Sequence, residues 1–368
     1  LVTGNGYGGL EHRNSTSLMC ARDDLPKRTD EPGKVRDGYR NYLGLCSHEY
    51  FHTWNIKRIK PAAFTPFDLS REVHTELLWA FEGITSYYDD LSLTRTGLIP
   101  PQSYLELLGQ TLSRVYRGQG RHKQTVTESS FDAWTRFYKQ DENAPNGIVS
   151  YYTKGSLVAL ALDLTLRNLT AEKKSLDDLM RLLWARYGQT GEGVPEQGIQ
   201  PLAEEVAGCE MTDFFEQALY STEDLPLAEL LAERGVELNW RSAASHGDNG
   251  GKPGKEGIPN LGVRLVADPM GAKIAVAFEQ GPAMAAGLSA GDVIIAVDGL
   301  QATQGNIDNL LANFLPGEMV EVHAFRRDEL MKFNVKVAPT EPSTAYLTIA
   351  KGGLTEKGKA WLHWKGNE

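Results

Sequence analysis

The sequence predicts an α+β protein of more than one domain, in which a mainly helical part is followed by a smaller part rich in β-strands. The chain has 368 residues, more than the roughly 100–200 residues of one typical domain. Apolar residues recur every three or four positions from residue 41 to residue 240, which is the period of helices that bury one face. After residue 258, apolar and polar residues alternate between turn residues, which is typical of strands.

The same patterns divide the chain into five segments. Residues 1–40 predict strands and loops that belong to the helical domain of residues 41–240. Residues 241–257 are rich in glycine and polar residues and almost free of apolar side chains, so they predict a flexible linker. Residues 258–338 predict a small β domain, and the tail of residues 339–368 has no clear pattern.

Individual elements follow from the period of each segment. The predicted helices of the first domain are 41–56, 72–93, 102–117, 154–169, 174–188, 200–207 and 211–233. The predicted strands of the second domain are 261–266, 273–278, 292–299, 319–325 and 331–337. Two short helices are predicted between these strands, at 282–288 and 305–314.

The composition excludes some classes of partner. A formal net charge of −10 leaves no general basic surface for nucleic acid or anionic membranes. Apolar runs all fall short of the ~20 residues of a membrane span. Three cysteines form neither a disulfide framework nor a cysteine-type zinc site. The first residue is Leu1, so we expect that N-terminal residues are missing, and the compartment stays open between bacterial cytoplasm and periplasm.

The segment HEYFHTW at residues 48–54 carries the clearest chemical signal. Positions i and i+4 share one face of an α-helix, so His48 and His52 can direct two imidazoles at one cation. Glu49 is rotated by about 100° from His48, and its carboxylate can lie near the metal without binding it. This pattern is typical of zinc hydrolases, in which the glutamate accepts a proton from the attacking water.

A third ligand is needed, because a catalytic zinc usually has three protein ligands and one open position. His74, Glu72 and Glu76 are candidates in the segment that follows. Glu82 lies among apolar residues, where a bare carboxylate would be costly without a partner. We favour Glu82 and keep the other three as alternatives.

Two segments together, HEYFHTWNIKRIKP at residues 48–61 and LLWAFEGITSYYDD at residues 77–90, resemble the glycyl aminopeptidase family, peptidase family M61. The resemblance extends over about residues 1–235. It implies a mainly α-helical, thermolysin-like zinc peptidase domain related to the larger M1 aminopeptidases. Members of the family usually carry an additional N-terminal β domain, which this sequence lacks.

The resemblance implies a role for each motif residue. His48, His52 and Glu82 would hold Zn²⁺, and Glu49 would be the general base. Asp89 lies seven residues after Glu82 on the same helix face, and we consider it a candidate to orient one of the imidazoles.

The stretch YYTKG at residues 151–155 is similar to the Y-x-K-G segment of M1 enzymes. The similarity implies that the hydroxyl of Tyr152 stabilises the oxyanion of the reaction, with Tyr151 as the alternative. A phenol is a suitable uncharged donor at such a position. Without this role, the aromatic pair would anchor the helix that follows.

The stretch GGLEHRNST at residues 8–16 is similar to the M1 segment that lines the substrate as an extended strand. The similarity implies that Glu11 holds the free α-amine of the substrate. Gly8 and Gly9 would allow a close approach of the backbone. His12 stands where M1 enzymes have asparagine, and a surface glutamate in a loop is the alternative interpretation of Glu11.

Residues 258–338 resemble a bacterial-type PDZ domain through the run GPAMAAGLSAGDVIIAVDG at residues 281–299. In such domains a peptide pairs with a sheet edge while loop N–H groups hold its C-terminal carboxylate. Leu261, Gly262 and Val263 would supply those N–H groups. The alternative is a structural β module that only packs on the first domain.

The resemblance therefore implies a zinc-dependent aminopeptidase that removes N-terminal glycine or alanine from peptide or protein substrates. A zinc endopeptidase on the same scaffold, in which Glu11 holds no amine, is a second hypothesis. A catalytically silent PDZ adaptor that binds peptides is a third hypothesis, against which the intact HExxH motif argues.

Overall fold

The computed structural model describes residues 1–31, 33–254, 257–338 and 342–363. A small sheet begins the chain, with strands in the order β1-β3-β2: β1 (Val2–Thr3), β2 (Tyr7–Glu11) and β3 (Thr16–Ala21). β2 runs antiparallel to β3 and forms one edge of this sheet. β2 and β3 both pack against the first helix, α1 (Asp37–Phe51).

The part that follows is mainly helical, as predicted. Its remaining helices are α2 (Ile84–Arg95), α3 (Pro101–Arg117), α4 (Val126–Phe131), α5 (Ala144–Gly147), α6 (Thr153–Leu169), α7 (Leu176–Leu183), α8 (Ile199–Ala207), α9 (Thr212–Phe215) and α10 (Leu227–Ala232). The helix predicted over 211–233 is divided into α9 and α10. Pro226 precedes α10, and a proline lacks the N–H that a continuous helix would need.

The core of the helical part surrounds α6, whose residues 157–164 are all buried. α6 packs against α2 and against the π-helical turn Trp79–Gly83 that leads into α2. A Cβ atom on Gly83 would lie 2.5 Å from the backbone carbonyl carbon of Gly155. The two segments therefore touch backbone to backbone, and this contact fixes the position of the π turn.

The helix predicted over 72–93 begins later than its apolar spacing suggests. The carboxylate of Glu196 accepts hydrogen bonds from the hydroxyl of Thr75 (2.8 Å) and from the backbone N–H of Glu76 (2.9 Å). These contacts come from a loop 120 residues further along the chain. They satisfy backbone groups outside a helix, and helical structure starts only next to the π turn.

The chain leaves the helices through β4 (Val236–Arg241) and continues as a loop against α3. The guanidinium of Arg241 contacts the carboxylate of Asp248 at 3.1 Å, and Arg117 on α3 donates to the carbonyl of Asp248 at 2.6 Å. The N–H of Gly251 donates to the carbonyl of Ala345 at 2.8 Å. Much of the segment predicted as a flexible linker therefore has fixed partners, while residues 255 and 256 lie outside the described residues.

A second, β-rich unit follows, with a core of its own. Its sheet has the order β10-β9-β7-β6-β5, with β8 beside β7: β5 (Val263–Asp268), β6 (Gly271–Ala277), β7 (Val293–Val297), β8 (Leu300–Gln301), β9 (Met319–Arg326) and β10 (Glu329–Lys336). Two short helices lie between the strands, α11 (Pro282–Ala285) and α12 (Ile307–Leu311). The predicted α+β class, helical part first and β-rich part second, is confirmed.

The tail, for which no pattern was evident, returns to the helical part. β11 (Thr344–Ile349) pairs antiparallel with β4 and packs on α3. α13 (Glu356–Leu362) buries Trp361, whose indole N–H donates to the hydroxyl of Tyr87 at 2.8 Å. The described part of the tail thus completes the first domain, and residues 339–341 and 364–368 lie outside the described residues.

The two units also touch each other directly. The side-chain amide of Asn146 on α5 donates to the carbonyl of Ala277 (2.9 Å), and its oxygen accepts the N–H of Glu279 (2.9 Å). Lys123 forms an ion pair with Glu279. The loop after β4 adds a contact in which the N–H of His246 faces the carboxylate of Asp308 on α12.

Candidate metal centre and active site

Three predicted ligands converge at the junction of α1 and the π turn. The Nε2 atoms of His48 and His52 lie 3.1 Å apart. An Oε2 atom of Glu82 lies 3.4 Å from Nε2 of His48 and 3.3 Å from Nε2 of His52. The three ligand atoms therefore face one common point, and these residues form a group that can hold a metal ion.

The spacing of these atoms fits a small divalent cation. Ligand atoms at about 2.0–2.1 Å from a tetrahedral ion lie about 3.3–3.4 Å from one another. The Oε2 atom of Glu82 is buried and has no hydrogen-bond partner among the described residues. Burial would raise the pKa of Glu82, but the two imidazoles outweigh burial and lower it to about 2. Glu82 is therefore an ionised carboxylate at neutral pH, as a metal ligand must be.

Each imidazole is oriented through its other nitrogen. Nδ1 of His48 lies 3.3 Å from the carboxylate of Asp89, the predicted orienting residue. Nδ1 of His52 lies 2.9 Å from the carbonyl of Asn55. A hydrogen bond from Nδ1–H to oxygen leaves Nε2 unprotonated and free to bind a cation.

Asn55 is a residue that the sequence analysis did not identify. Its side-chain amide donates to the carbonyls of Ala80 and Phe81 at 3.0 and 3.2 Å. These carbonyls belong to the π turn that carries Glu82. Asn55 therefore holds the third ligand in register with the two histidines. The only signal in the sequence is its position in the turn directly after HEYFHTW.

The glutamate of the HExxH motif points toward the strand β2. Glu49 is 7% exposed, and its Oε2 atom has no hydrogen-bond partner among the described residues. A Cβ atom on Gly9 would lie 2.0 Å from Oε1 of Glu49, so the bare backbone of β2 covers the carboxylate. Burial raises the pKa of Glu49, and the charges of His48 and His52 act in the opposite direction.

Glu11 lies at the end of β2, beside Glu49. Ligand atoms of Glu11, Glu49 and His52 all lie within 4.8 Å of one another. The carboxylate of Glu11 pairs with the ammonium of Lys57 at 2.9 Å, a contact that the sequence analysis did not foresee. Gly8 faces open space, because a Cβ atom on it would meet nothing within 4 Å.

Of the two adjacent tyrosines, Tyr152 lies nearer the histidines. Its ring centroid is 6.4 Å from that of His48, with an interplanar angle of 29°. Burial, and then the charge of Glu82, raises the pKa of Tyr152 far above its usual range, so the hydroxyl keeps its proton. The ring of Tyr151 is fully buried, and its hydroxyl donates to the hydroxyl of Tyr138 at 3.3 Å.

The alternative third ligands lie elsewhere. Nδ1 of His74 lies 2.8 Å from the carbonyl of Phe131, and Glu76 is in the loop held by Glu196. Among the described residues, His74, Glu72 and Glu76 take part in none of the groups that can hold a metal ion.

The predicted carboxylate loop of the β-rich unit leads into β5, an edge strand of its sheet. Leu261 is buried, and its carbonyl accepts the N–H of Ala283 at 2.8 Å. The N–H of Gly262 donates to the side-chain oxygen of Asn260 at 2.9 Å. Val263 begins β5 and is buried as well.

The arrangement of two imidazoles, a carboxylate ligand and an adjacent glutamate on a helical domain defines the class of this protein, a member of a peptidase family. Residues 41–158 match the family model described as M61 glycyl aminopeptidase, and residues 259–337 match the PDZ domain model. The chain belongs to the M61 peptidase family and carries a C-terminal PDZ domain.

Solved structures support this assignment. The crystal structure of an aminopeptidase N family protein from Idiomarina loihiensis is 45% identical to this chain, with a TM-score of 0.94. The alignment covers 98% of this chain but 61% of that chain, so this chain spans less than two thirds of that protein. A comparison with curated proteins gives no match.

Two further structures are similar over a short segment. An HtrA-type protease, AlgW with decapeptide, is 26% identical with a TM-score of 0.22, over 23% of this chain and 30% of that chain. The serine endoprotease from Yersinia pestis is 20% identical with a TM-score of 0.21, over the same shares. Among the described residues, no helix is both long and apolar enough to cross a membrane.

Proposed function

We propose that this chain is the catalytic part of a zinc-dependent aminopeptidase that removes N-terminal glycine or alanine from peptides. The observation that carries the proposal is the convergence of His48, His52 and Glu82 on one point, with separations of 3.1–3.4 Å. Two imidazoles and one glutamate are the protein ligands of several catalytic zinc sites. Membership in the M61 family supports the same activity.

Bound zinc would supply a Lewis acid that polarises the scissile carbonyl and activates water. The carboxylate of Glu49 accepts a proton from the attacking water and returns it to the leaving amine. Its burial against β2 supports this role, because a raised pKa makes the carboxylate a better match for proton transfer near neutral pH. The phenol of Tyr152 donates a hydrogen bond to the developing oxyanion.

The N-terminal end of the substrate would lie along β2. The outer edge of β2 is unpaired among the described strands, so an extended peptide can pair with it. Gly9 brings this edge against Glu49. Glu11, at the end of the strand, would then receive the α-amine.

We further propose that the PDZ domain binds a peptide with a free C-terminus. β5 is an edge strand and offers its backbone for strand addition. Leu261, Gly262 and Val263 precede or begin this strand, as a carboxylate-binding loop requires. Since the N–H of Gly262 donates to Asn260, a bound carboxylate would have to displace that side chain or use the neighbouring N–H groups.

One contact favours a second candidate, a zinc endopeptidase. The carboxylate of Glu11 already has a cationic partner in Lys57. If that pair is permanent, no substrate amine is needed at this position, and internal peptide bonds can be cleaved.

A substrate panel with metal analysis tests the proposal. The purified protein is expected to contain about one zinc per chain and to hydrolyse glycyl and alanyl peptides faster than leucyl peptides. N-acetylation should abolish cleavage by an aminopeptidase and spare cleavage by an endopeptidase. Glu49→Gln is expected to retain metal and lose activity. A protein that binds no divalent ion, or a Glu49→Gln variant with full activity, would refute the enzyme proposal.

A further inference from the structure

The ion pair between Glu11 and Lys57 forms part of the wall of the proposed active site. The two side chains are 21% exposed each and 2.9 Å apart. The carboxylate of Glu11 lies within 4.8 Å of ligand atoms of Glu49 and His52. Lys57 therefore brings a positive charge to the position that a substrate α-amine would occupy.

The backbone that presents Lys57 is unusual. The preceding residue, Ile56, is buried and has a φ of 102°, a conformation that β-branched residues rarely adopt. Strained residues of this kind persist only where their surroundings hold them. Here the N–H of Ile56 donates to the carbonyl of Ile59 (2.7 Å), and the N–H of Lys57 donates to the carbonyl of His52 (3.2 Å). The turn after the second histidine is thus built to one geometry.

The charges around Glu11 set what it can bind. The carboxylate of Glu49 lies beside it, so an unpaired Glu11 would face a like charge in a partly desolvated position. Lys57 neutralises Glu11 in the free protein. A substrate α-ammonium would be the second cation on one carboxylate, and its attraction to Glu11 would be partly cancelled by repulsion from Lys57.

We propose that Lys57 is a specificity-determining residue that reduces the discrimination of this site between free and blocked N-termini. The inference rests on the proposed function, in which Glu11 receives the α-amine. Lys57 weakens the binding of an ammonium group, and it compensates Glu11 when an uncharged acyl group occupies the same space. The site therefore accepts blocked or internal peptides more readily than an unpaired glutamate would allow.

The test compares kcat/KM for a glycyl peptide and for its N-acetyl form. Lys57→Gln is expected to raise the ratio of these values at least tenfold, through a lower KM for the free amine at unchanged kcat. Glu11→Gln should bring the ratio toward one. Lys57→Arg keeps the charge and should match the wild type. Lys60→Gln is the matched control, since the Lys60 ammonium lies over the ring of Phe67, 4.7 Å from its centroid.

Binding provides a readout without turnover. In the Glu49→Gln background, calorimetry with the same two peptides should give the same change in the ratio of Kd values on adding Lys57→Gln. Lys57→Met, which keeps most of the aliphatic stem, serves as a second neutral variant if the glutamine variant does not fold.

The outcomes separate this inference from the proposed function. A ratio within twofold of wild type in both neutral Lys57 variants, with a reduced ratio in Glu11→Gln, overturns the role of Lys57 and leaves the aminopeptidase standing. An unchanged ratio in Glu11→Gln overturns the amine anchor, and the role of Lys57 with it. Absence of any cleavage by metal-loaded wild type overturns both.

Discussion

Gly9 lies directly over the carboxylate of Glu49: a Cβ atom at residue 9 would stand 2.0 Å from Oε1 of Glu49. The strand β2 and the helix α1 thus meet at the proposed general base. The contact has no room for any side chain on the strand, so this glycine is required for the geometry of the site.

We expect Gly9→Ala to lower kcat/KM by at least about tenfold, equivalent to about 1.4 kcal/mol of transition-state stabilisation. The added methyl group must displace either Glu49 or β2. Gly8→Ala is the matched control, since its Cβ atom would meet nothing within 4 Å. Hydrolysis rates of a glycyl peptide measure both. Equal activities of the two variants would contradict the proposed position of the base.

Asp89→Asn is expected to weaken metal binding. The carboxylate lies 3.3 Å from Nδ1 of His48, and loss of such an orienting partner typically costs about 10–100-fold in metal affinity. Competition with a chromogenic chelator measures the affinity of each variant.

Asp90→Asn is the control for this prediction. Burial, and then the charge of Asp89, raises the pKa of Asp90 well above its usual range, so its side chain is already neutral. An asparagine should change metal affinity by less than about twofold, since no charge is lost. Equal losses in the two variants would argue that Asp89 acts through the fold and not through His48.

Tyr152→Phe is expected to lower kcat by about 10²–10³-fold with little change in KM, the usual effect of removing one oxyanion donor. Tyr151→Phe should affect stability more than kcat. The hydroxyl of Tyr151 donates to Tyr138 in the buried wall of the site, and losing that hydrogen bond costs about 1 kcal/mol. Steady-state kinetics and thermal unfolding separate the two effects. A larger kcat loss in Tyr151→Phe would reverse the assignment.

Acid stability should depend on Asp248. Burial would raise the pKa of Asp248, but the Arg241 guanidinium and the N–H groups of Ala244 and Gly250 lower it to about 2, below its ordinary 3.8. The ionised carboxylate therefore stabilises the folded state above about pH 4. This contribution is lost as the pH falls from about 4 toward 2.

In Asp248→Asn, the free energy of unfolding is expected to be lower at neutral pH and to depend less steeply on pH between about 4 and 2. Denaturant unfolding at several pH values measures this slope. Asp328→Asn, in the exposed turn between β9 and β10, should leave the slope unchanged. If both variants behave like the wild type, the loop after β4 does not contribute to acid stability through this ion pair.

Local patterns in the sequence determined a large part of the fold and of the candidate centre. The period of apolar residues identified the helical part and the β-rich part, because both periods follow from backbone geometry. The spacing of His48 and His52 placed two imidazoles on one helix face for the same reason. Glu82 could be favoured over its neighbours from its apolar surroundings alone.

The tertiary structure decided what depends on residues far apart in the chain. The packing of Gly9 on Glu49, the pairing of Lys57 with Glu11, and the return of β11 and α13 to the helical part have no local signature. Each joins segments that are 40 or more residues apart. Such contacts depend on how whole elements pack and on the charges that packing brings together, and neither is encoded in the period of a single segment.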